Sequence, residues 1–356
     1  KIREIARQVG SADIGRPYTG GSFSVARNGR VAFVRNSTAS PGDVAVTDAR
    51  GKGVRTLTTL NADLLGHKTL GKVERLTWQS SADQREIEGW LVTPPQFDAS
   101  RQYPLILEIH GGPFTAYGPN FSVEIQRYAA AGYMVLYANP RGSTSYGEDF
   151  ANLIHHAYPG NDYDDLMSGV DAVLARGNVD PQQLFVTGGS GGGVLTAWIV
   201  GKTDRFRAAV VAKPVINWTS FVLTADMYNF FYRYWFSAPP WEAQDEYWRR
   251  SPLSLVGNVK TPTMLLTGEA DFRTPIGEAE QIYQTISWRG LSVIGVSRRR
   301  RRIDRAYEGR ATYGTLLRGG TEPDRVCLGA ARRACPSLHR ARIFLRRHGY
   351  RWEGQE

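Results

Sequence analysis

A mostly parallel α/β sheet with helices on both faces, entered from a short antiparallel β-region, is the fold class this sequence predicts. Three observations lead to it. Beyond Val73, apolar strands alternate with helical segments, the pattern of parallel sheets covered on both sides. Before Val73, short strands are separated by turn signals with no helical period between them. A chain of 356 residues is long enough to bury the core that such a sheet needs.

The antiparallel region is read first. Ser22–Val25 leads to Asn28-Gly29, and Val31–Arg35 follows; Asn-Gly between two apolar runs is a strong hairpin signal. A turn around Pro41-Gly42, the strand Asp43–Asp48 and a break at Gly51–Gly53 come next. Three or four such strands within about 50 residues resemble one propeller blade, and one blade cannot close a propeller. Residues 1–70 are therefore expected to be the remnant of a larger β-propeller.

The α/β pattern occupies residues 71–296. Extended segments are expected at Glu86–Thr93, Leu105–His110, Tyr133–Ala138, Leu184–Thr187, Ala208–Ala212 and Thr263–Thr267. Helices are expected at Asp162–Arg176, Val194–Val200 and Ile276–Ile286; in the first, Leu166, Val170, Val173 and Leu174 share a face.

Charge is distributed unevenly. The chain carries +10 overall, and residues 298–356 hold 16 arginines, no lysine and 6 acidic residues. The remainder balances at 28 basic and 28 acidic groups, so the basic character that would suggest nucleic acid or a membrane surface belongs to the last sixth. That segment has no nucleic-acid-binding motif, and no nucleic-acid partner is expected. The longest apolar stretch, Ala129–Ala138, is too short to cross a bilayer. The chain opens at Lys1 without methionine or a signal-peptide pattern, so an upstream targeting segment stays open and no compartment follows. Cys327 and Cys335 lie in the basic segment without ligand spacing, and His-Glu-x-x-His is absent; no metal or other cofactor is implied.

The sharpest chemical signal is Gly188-Gly189-Ser190-Gly191-Gly192-Gly193 between a strand and a helix. This is the strand–turn–helix elbow of α/β-hydrolase folds, which presents a serine hydroxyl at the carboxyl edge of the sheet and backbone amides to a developing oxyanion. The P-loop alternative lacks its lysine, since Val194-Leu195 follow, and the dinucleotide fingerprint fails in both registers that start here. His110-Gly111-Gly112-Pro113 directly after a strand supplies the second donor loop, with the Gly112 and Gly191 amides as the expected pair. His110 itself is expected to be a hydrogen-bonding loop residue. Asp271, in the loop after Thr263–Thr267, follows the serine in the chain order Ser then Asp and is the expected triad acid.

Taken together, HGGP at 110–113, NPRGSTSYG at 139–147, the Asp162–Asp165 segment, GGSGGG at 188–193, SPL at 251–253 and GEADFRTP at 268–275 resemble the prolyl oligopeptidase family of serine peptidases. Its acylaminoacyl-peptidase and dipeptidyl-peptidase branches are the most similar, and the resemblance covers roughly residues 70–290. It implies an α/β-hydrolase domain behind a β-propeller, an acyl-enzyme mechanism and short peptides as substrates. A carboxylesterase and an inactive binding protein on the same fold are the alternatives. Gly191 stands where the family often has tyrosine, a change that keeps the backbone donor. Arg273, two residues past the acid, and the aromatic cluster around Tyr232 and Trp235 are candidate substrate contacts.

The triad histidine is not identified. The resemblance implies it about 30–35 residues after Asp271, in the chain order Ser, Asp, His. No histidine occurs between Asp271 and His339; His339 and His348 lie 68 and 77 residues beyond Asp271. His155 and His156 sit on an expected surface segment. The compositional break near residues 290–297 suggests a slipped reading frame, in which an arginine-rich tail over 297–356 replaces the last strand, the histidine loop and the terminal helix. Activity of this chain is therefore expected to be impaired.

Overall fold

The computed structural model describes residues 2–11, 13–298 and 342–345. The amino-terminal region forms a four-stranded antiparallel sheet in the order β1 (Phe23–Val25), β2 (Val31–Ser37), β3 (Ser40–Thr47), β4 (Arg55–Thr56). Gly29, at φ 78°, turns the β1–β2 hairpin where Asn-Gly was expected. The turn expected around Pro41-Gly42 lies instead at Thr38-Ala39, with Ser37 opposite Ser40. A register shift between Arg35 and Ser37 lets β3 carry Pro41 and Gly42 inside the strand, as bulges let a strand absorb such residues.

The second sheet holds β5 (Val73–Gln79), β6 (Glu86–Val92), β7 (Tyr103–Ile109), β8 (Met134–Asn139), β9 (Val179–Gly189), β10 (Ala208–Ala212), β11 (Thr263–Gly268), β12 (Val293–Arg298) and β13 (Arg342–Leu345). Their order is β13-β12-β11-β10-β9-β7-β8-β6-β5. Strands β8, β7, β9, β10, β11 and β12 run parallel, and β5, β6 and β13 join antiparallel at the two edges. This is the mostly parallel sheet of an α/β-hydrolase. The central strands are almost continuously buried, which explains why they read as apolar runs rather than alternating ones.

The basic-tail expectation needs one correction. Val293–Arg298 pairs in parallel with Thr263–Gly268 in unbroken register, so the strand thought to be replaced is present beside β11. The α/β unit thus runs to Arg298, past the expected boundary at 296. Of the remaining tail, only Arg342–Leu345 is described, as the strand antiparallel to β12.

Helices pack on both faces by a consistent logic. Gly191–Lys202 is buried along its whole length up to Gly201, as befits a central helix apolar on all sides. Asp162–Leu174 buries one face, where Gly169 lets the Trp78 ring lie against the helix and the Trp78 indole donates to Asp165 O at 2.8 Å. Residues 14–19 leave the small sheet. They run along the α/β unit, with Val123 N donating to Ile14 O, Gly118 N to Pro17 O, and Thr19 N to Ala116 O, each at 2.8 Å.

Candidate active site

Ser190 follows β9 and stands at the N-cap position of the helix Gly191–Lys202 with φ 59° and ψ −118°. That conformation is costly for a residue with a side chain and persists only where surrounding packing enforces it. The enforcement is visible in the neighbouring glycines. A Cβ on Gly192 would collide with Ile109 O, and one on Gly191 would lie 3.0–3.1 Å from backbone atoms of Gly112. The elbow and the loop after β7 are therefore pressed backbone to backbone, which only glycine permits here. Ser190 N donates to Ala212 O at 3.0 Å, tying the elbow to the end of β10.

Gly112 adopts φ 114°, so its peptide is turned in a way closed to other residues. The Gly191 amide lies in the first helical turn and has no carbonyl four residues back within the helix. The backbone of Gly112 thus lies against Gly191, the residue that follows the serine. His110, just before them, is buried at 3% exposure and serves structure. Its Nδ1–H donates to Gly111 O (2.6 Å), its Nε2 meets Ser143 Oγ (2.9 Å), and burial depresses its pKa to about 4. A neutral ring engaged at both nitrogens holds the loop's shape. Ser143 lies within NPRGSTSYG with its Oγ also 2.6 Å from Pro140 O, its one proton serving either that carbonyl or His110 Nε2, so that motif buttresses the donor loop. In the same motif Arg141 pairs with Asp165 at 2.8 Å and Asp83 at 3.0 Å, anchoring it to the helix Asp162–Leu174.

Asp271 follows β11, while Ser190 follows β9, with β10 between them. Because these strands are parallel, serine and carboxylate sit on the same carboxyl rim. Asp271 Oδ1 accepts from the Arg273 and Thr274 amides at 3.0 Å each, which fixes the carboxylate through its own turn. Arg273 forms an ion pair with Asp226 at 2.6 Å. Tyr232 is half-buried against the core, and Trp235, at 4% exposure, packs on Phe231, Trp218 and Tyr158. The expectation that Trp235 lines a substrate pocket is corrected: its ring belongs to the core because the buried side of the helix Tyr228–Trp235 faces inward at Phe231 and Trp235.

Among the described residues no side chain hydrogen-bonds the Ser190 hydroxyl. His155 and His156 stack on each other at 4.0 Å on the surface, and His156 Nε2 donates to Arg233 O. His339 and His348 lie outside the described residues. No group of three or more metal-ligating side chains occurs among the described residues, and none of their helices is long and apolar enough to cross a membrane.

Sequence reasoning missed three contributors to this site. Ser143 was legible as part of a motif, without its role. Arg16 and Tyr18 gave no signal, because their segment read as part of a separate blade. Arg16 Nη1 lies 3.1 Å from Glu108 on β7, its Nε lies 3.2 Å from Glu124, and Tyr18 Oη accepts the Gly111 amide at 3.0 Å. Burial, only partly offset by Arg16, raises Glu108 to about 7.

A serine held on a strained elbow at the carboxyl rim of a mostly parallel sheet, against a glycine donor loop, defines an α/β-hydrolase. Residues 119–294 match the model of the prolyl oligopeptidase family, and over its α/β unit the chain is similar to peptidases. The chain is 42% identical over 234 residues to the uncharacterized peptidase YuxL of Bacillus subtilis, covering 65% of this chain and 36% of that protein. It is 35% identical over 198 residues to the acylamino-acid-releasing enzyme of Arabidopsis thaliana, covering 53% of this chain and 26% of the other. Among solved structures, the acylaminoacyl peptidase of Pyrococcus horikoshii superposes with a TM-score of 0.75 at 26% identity, covering 83% of this chain and 46% of that one. The chain spans between 26% and 40% of the length of the curated relatives it matches.

Proposed function

We propose that this chain carries the acyl-transfer core of a serine peptidase acting on short peptides. Ser190 Oγ attacks the scissile carbonyl, the Gly112 and Gly191 amides stabilise the oxyanion, and the amine leaves to give an acyl-enzyme that water hydrolyses. Asp271 orients the base that takes the serine proton. The observation that carries this reading is the positive φ of Ser190 on a turn pressed against Gly112. Similarity to acylamino-acid-releasing enzymes and acylaminoacyl peptidases supports peptides over simple esters.

The base is the incomplete part. With no histidine hydrogen-bonded to Ser190 or Asp271 among the described residues, turnover is expected to fall on the order of 10⁴–10⁶-fold below a complete triad, as loss of a triad member does. Side-by-side assay of aminoacyl-p-nitroanilides and p-nitrophenyl esters, with fluorophosphonate labelling of Ser190, tests the proposal. Slow labelling at Ser190, absent in Ser190→Ala and accelerated by added imidazole, is the expected result. No labelling at any imidazole concentration points to a binding protein on this fold; ester hydrolysis without anilide hydrolysis points to a carboxylesterase.

A further inference from the structure

The oxyanion loop is held from below by a segment that belongs to neither sheet. Residues 14–19 cross the α/β unit and bond to residues 116–123 through the main-chain contacts already described, and Asn120 Nδ2 adds a bond to Tyr18 O at 2.8 Å. At their centre, Tyr18 packs its ring on Tyr117 at 4.9 Å and turns its hydroxyl to the Gly111 amide. Two residues earlier, Arg16 meets Glu108 near the end of β7. The same guanidinium Nη1 lies 3.5 Å from where a Cβ on Gly189 would stand, beside the end of β9. Tyr18 and Arg16 therefore touch both backbone segments that converge on Ser190.

We infer that Tyr18 is a positioning residue for acyl transfer, acting through Gly111. The inference rests on the assignment of Ser190 and Gly112 given above. Two amides in this loop, those of Gly111 and Gly112, are candidates to face a developing oxyanion. The Tyr18 hydroxyl accepts the Gly111 N–H, which takes that amide out of the reaction and fixes the plane of the His110–Gly111 peptide, while the next peptide, which carries the Gly112 N–H, is held through Gly111 O by His110 Nδ1. Gly112, at φ 114° and against Gly191, is left as the donor on that side. Preorganised donors are effective because they need no reorientation as charge develops. Without the Tyr18 contact, the Gly111 amide is free to turn toward solvent, and the loop samples peptide orientations that point the Gly112 N–H away from the serine.

The test compares the chain with its Tyr18→Phe variant in three measurements: fluorophosphonate kinetics at Ser190, amide exchange at Gly111 by NMR, and the urea unfolding midpoint. In the labelling step the serine oxygen bonds to phosphorus and fluoride leaves, while the serine proton passes to buffer or added imidazole. The expected result is a limiting labelling rate lowered about threefold to tenfold, the range of one lost hydrogen bond. The probe concentration for half the limiting rate stays unchanged, and the Gly111 amide exchanges faster. An unchanged limiting rate in a chain that labels overturns the inference, whatever the exchange shows. So does a slower rate with Gly111 exchange unaltered, or a change confined to the urea midpoint. If the parent chain does not label at all, the nucleophile assignment itself fails. Gly111 exchange then decides alone whether Tyr18 holds the loop, with unchanged exchange overturning it.

Discussion

Asp162 shows how one buried carboxylate couples this fold to pH. It is 1% exposed, its Oδ1 accepts from the Gly160 and Tyr163 amides at 2.8 Å, and its Oδ2 has no hydrogen-bond partner among the described residues. Burial, with Asp165 nearby, raises its pKa from 3.8 to about 7, despite the two amides. A raised folded pKa means that the folded state holds the proton more tightly than the unfolded chain does. Its contribution is fully present below pH 3.8 and is lost as pH rises through about 7. Asp162→Asn keeps the Oδ1 acceptor and removes the ionisation. Relative to the parent, this variant is expected to gain stability from pH 4 up to about 7 and to hold that gain above it, on the order of a few kcal/mol. Urea unfolding at a series of pH values checks it; a constant difference between the two proteins would contradict the assignment. At this scale the strained turn at Ser190 and the close approach of Gly191 to Gly112 were legible in the glycine runs, because such backbone demands particular residue types. Trp235's place in the core was not legible, since an aromatic at helical spacing looks the same on an inward or an outward face.

The elements that build the site are joined by contacts too tight for any side chain. The helix expected at Val194–Val200 begins three residues earlier, at Gly191, because the glycines that disguise its start are required by packing against Ile109 and Gly112. Strand β9 likewise begins at Val179, five residues before the apolar run at Leu184, since its first half is polar and more exposed. Strand β5 and the helix Val123–Ala130 were missed. The first is a largely exposed edge strand, and the second buries Glu124 and Gln126 along with its apolar residues, so neither shows a clean period. These contacts make a prediction about the elbow. Gly192→Ala places a methyl group into Ile109 O, and either the helix or β7 must give way. Such overpacking costs about 1–3 kcal/mol, and more where backbone opposes backbone. A lowered urea midpoint together with loss of Ser190 labelling is expected. A variant that labels like the parent would show that the elbow and the donor loop are not in register as described.

At the scale of the whole molecule, the chain does not divide cleanly at residue 70. The antiparallel sheet was legible from its turns, but Arg16 leaves that region to stand between Glu108 and Glu124, 16% exposed against 1% and 8% for their side chains. Nothing in local sequence reports a contact across more than 90 positions, so this join could be seen only in three dimensions. Removing the cation leaves two buried carboxylates facing each other, and breaking a buried ion pair from one side costs about 3–5 kcal/mol. Arg16→Met is therefore expected to destabilise the α/β unit by roughly that amount at pH 8. The loss should shrink toward pH 5, because Glu108 titrates near 7 and is already protonated there, leaving Arg16 with less charge to compensate. Adding Glu108→Gln and Glu124→Gln to Arg16→Met removes the uncompensated charges, and much of the stability should return. Equal losses at pH 5 and pH 8, or no recovery in the triple variant, would mean that Arg16 acts through packing alone and that the two regions are not held together by charge.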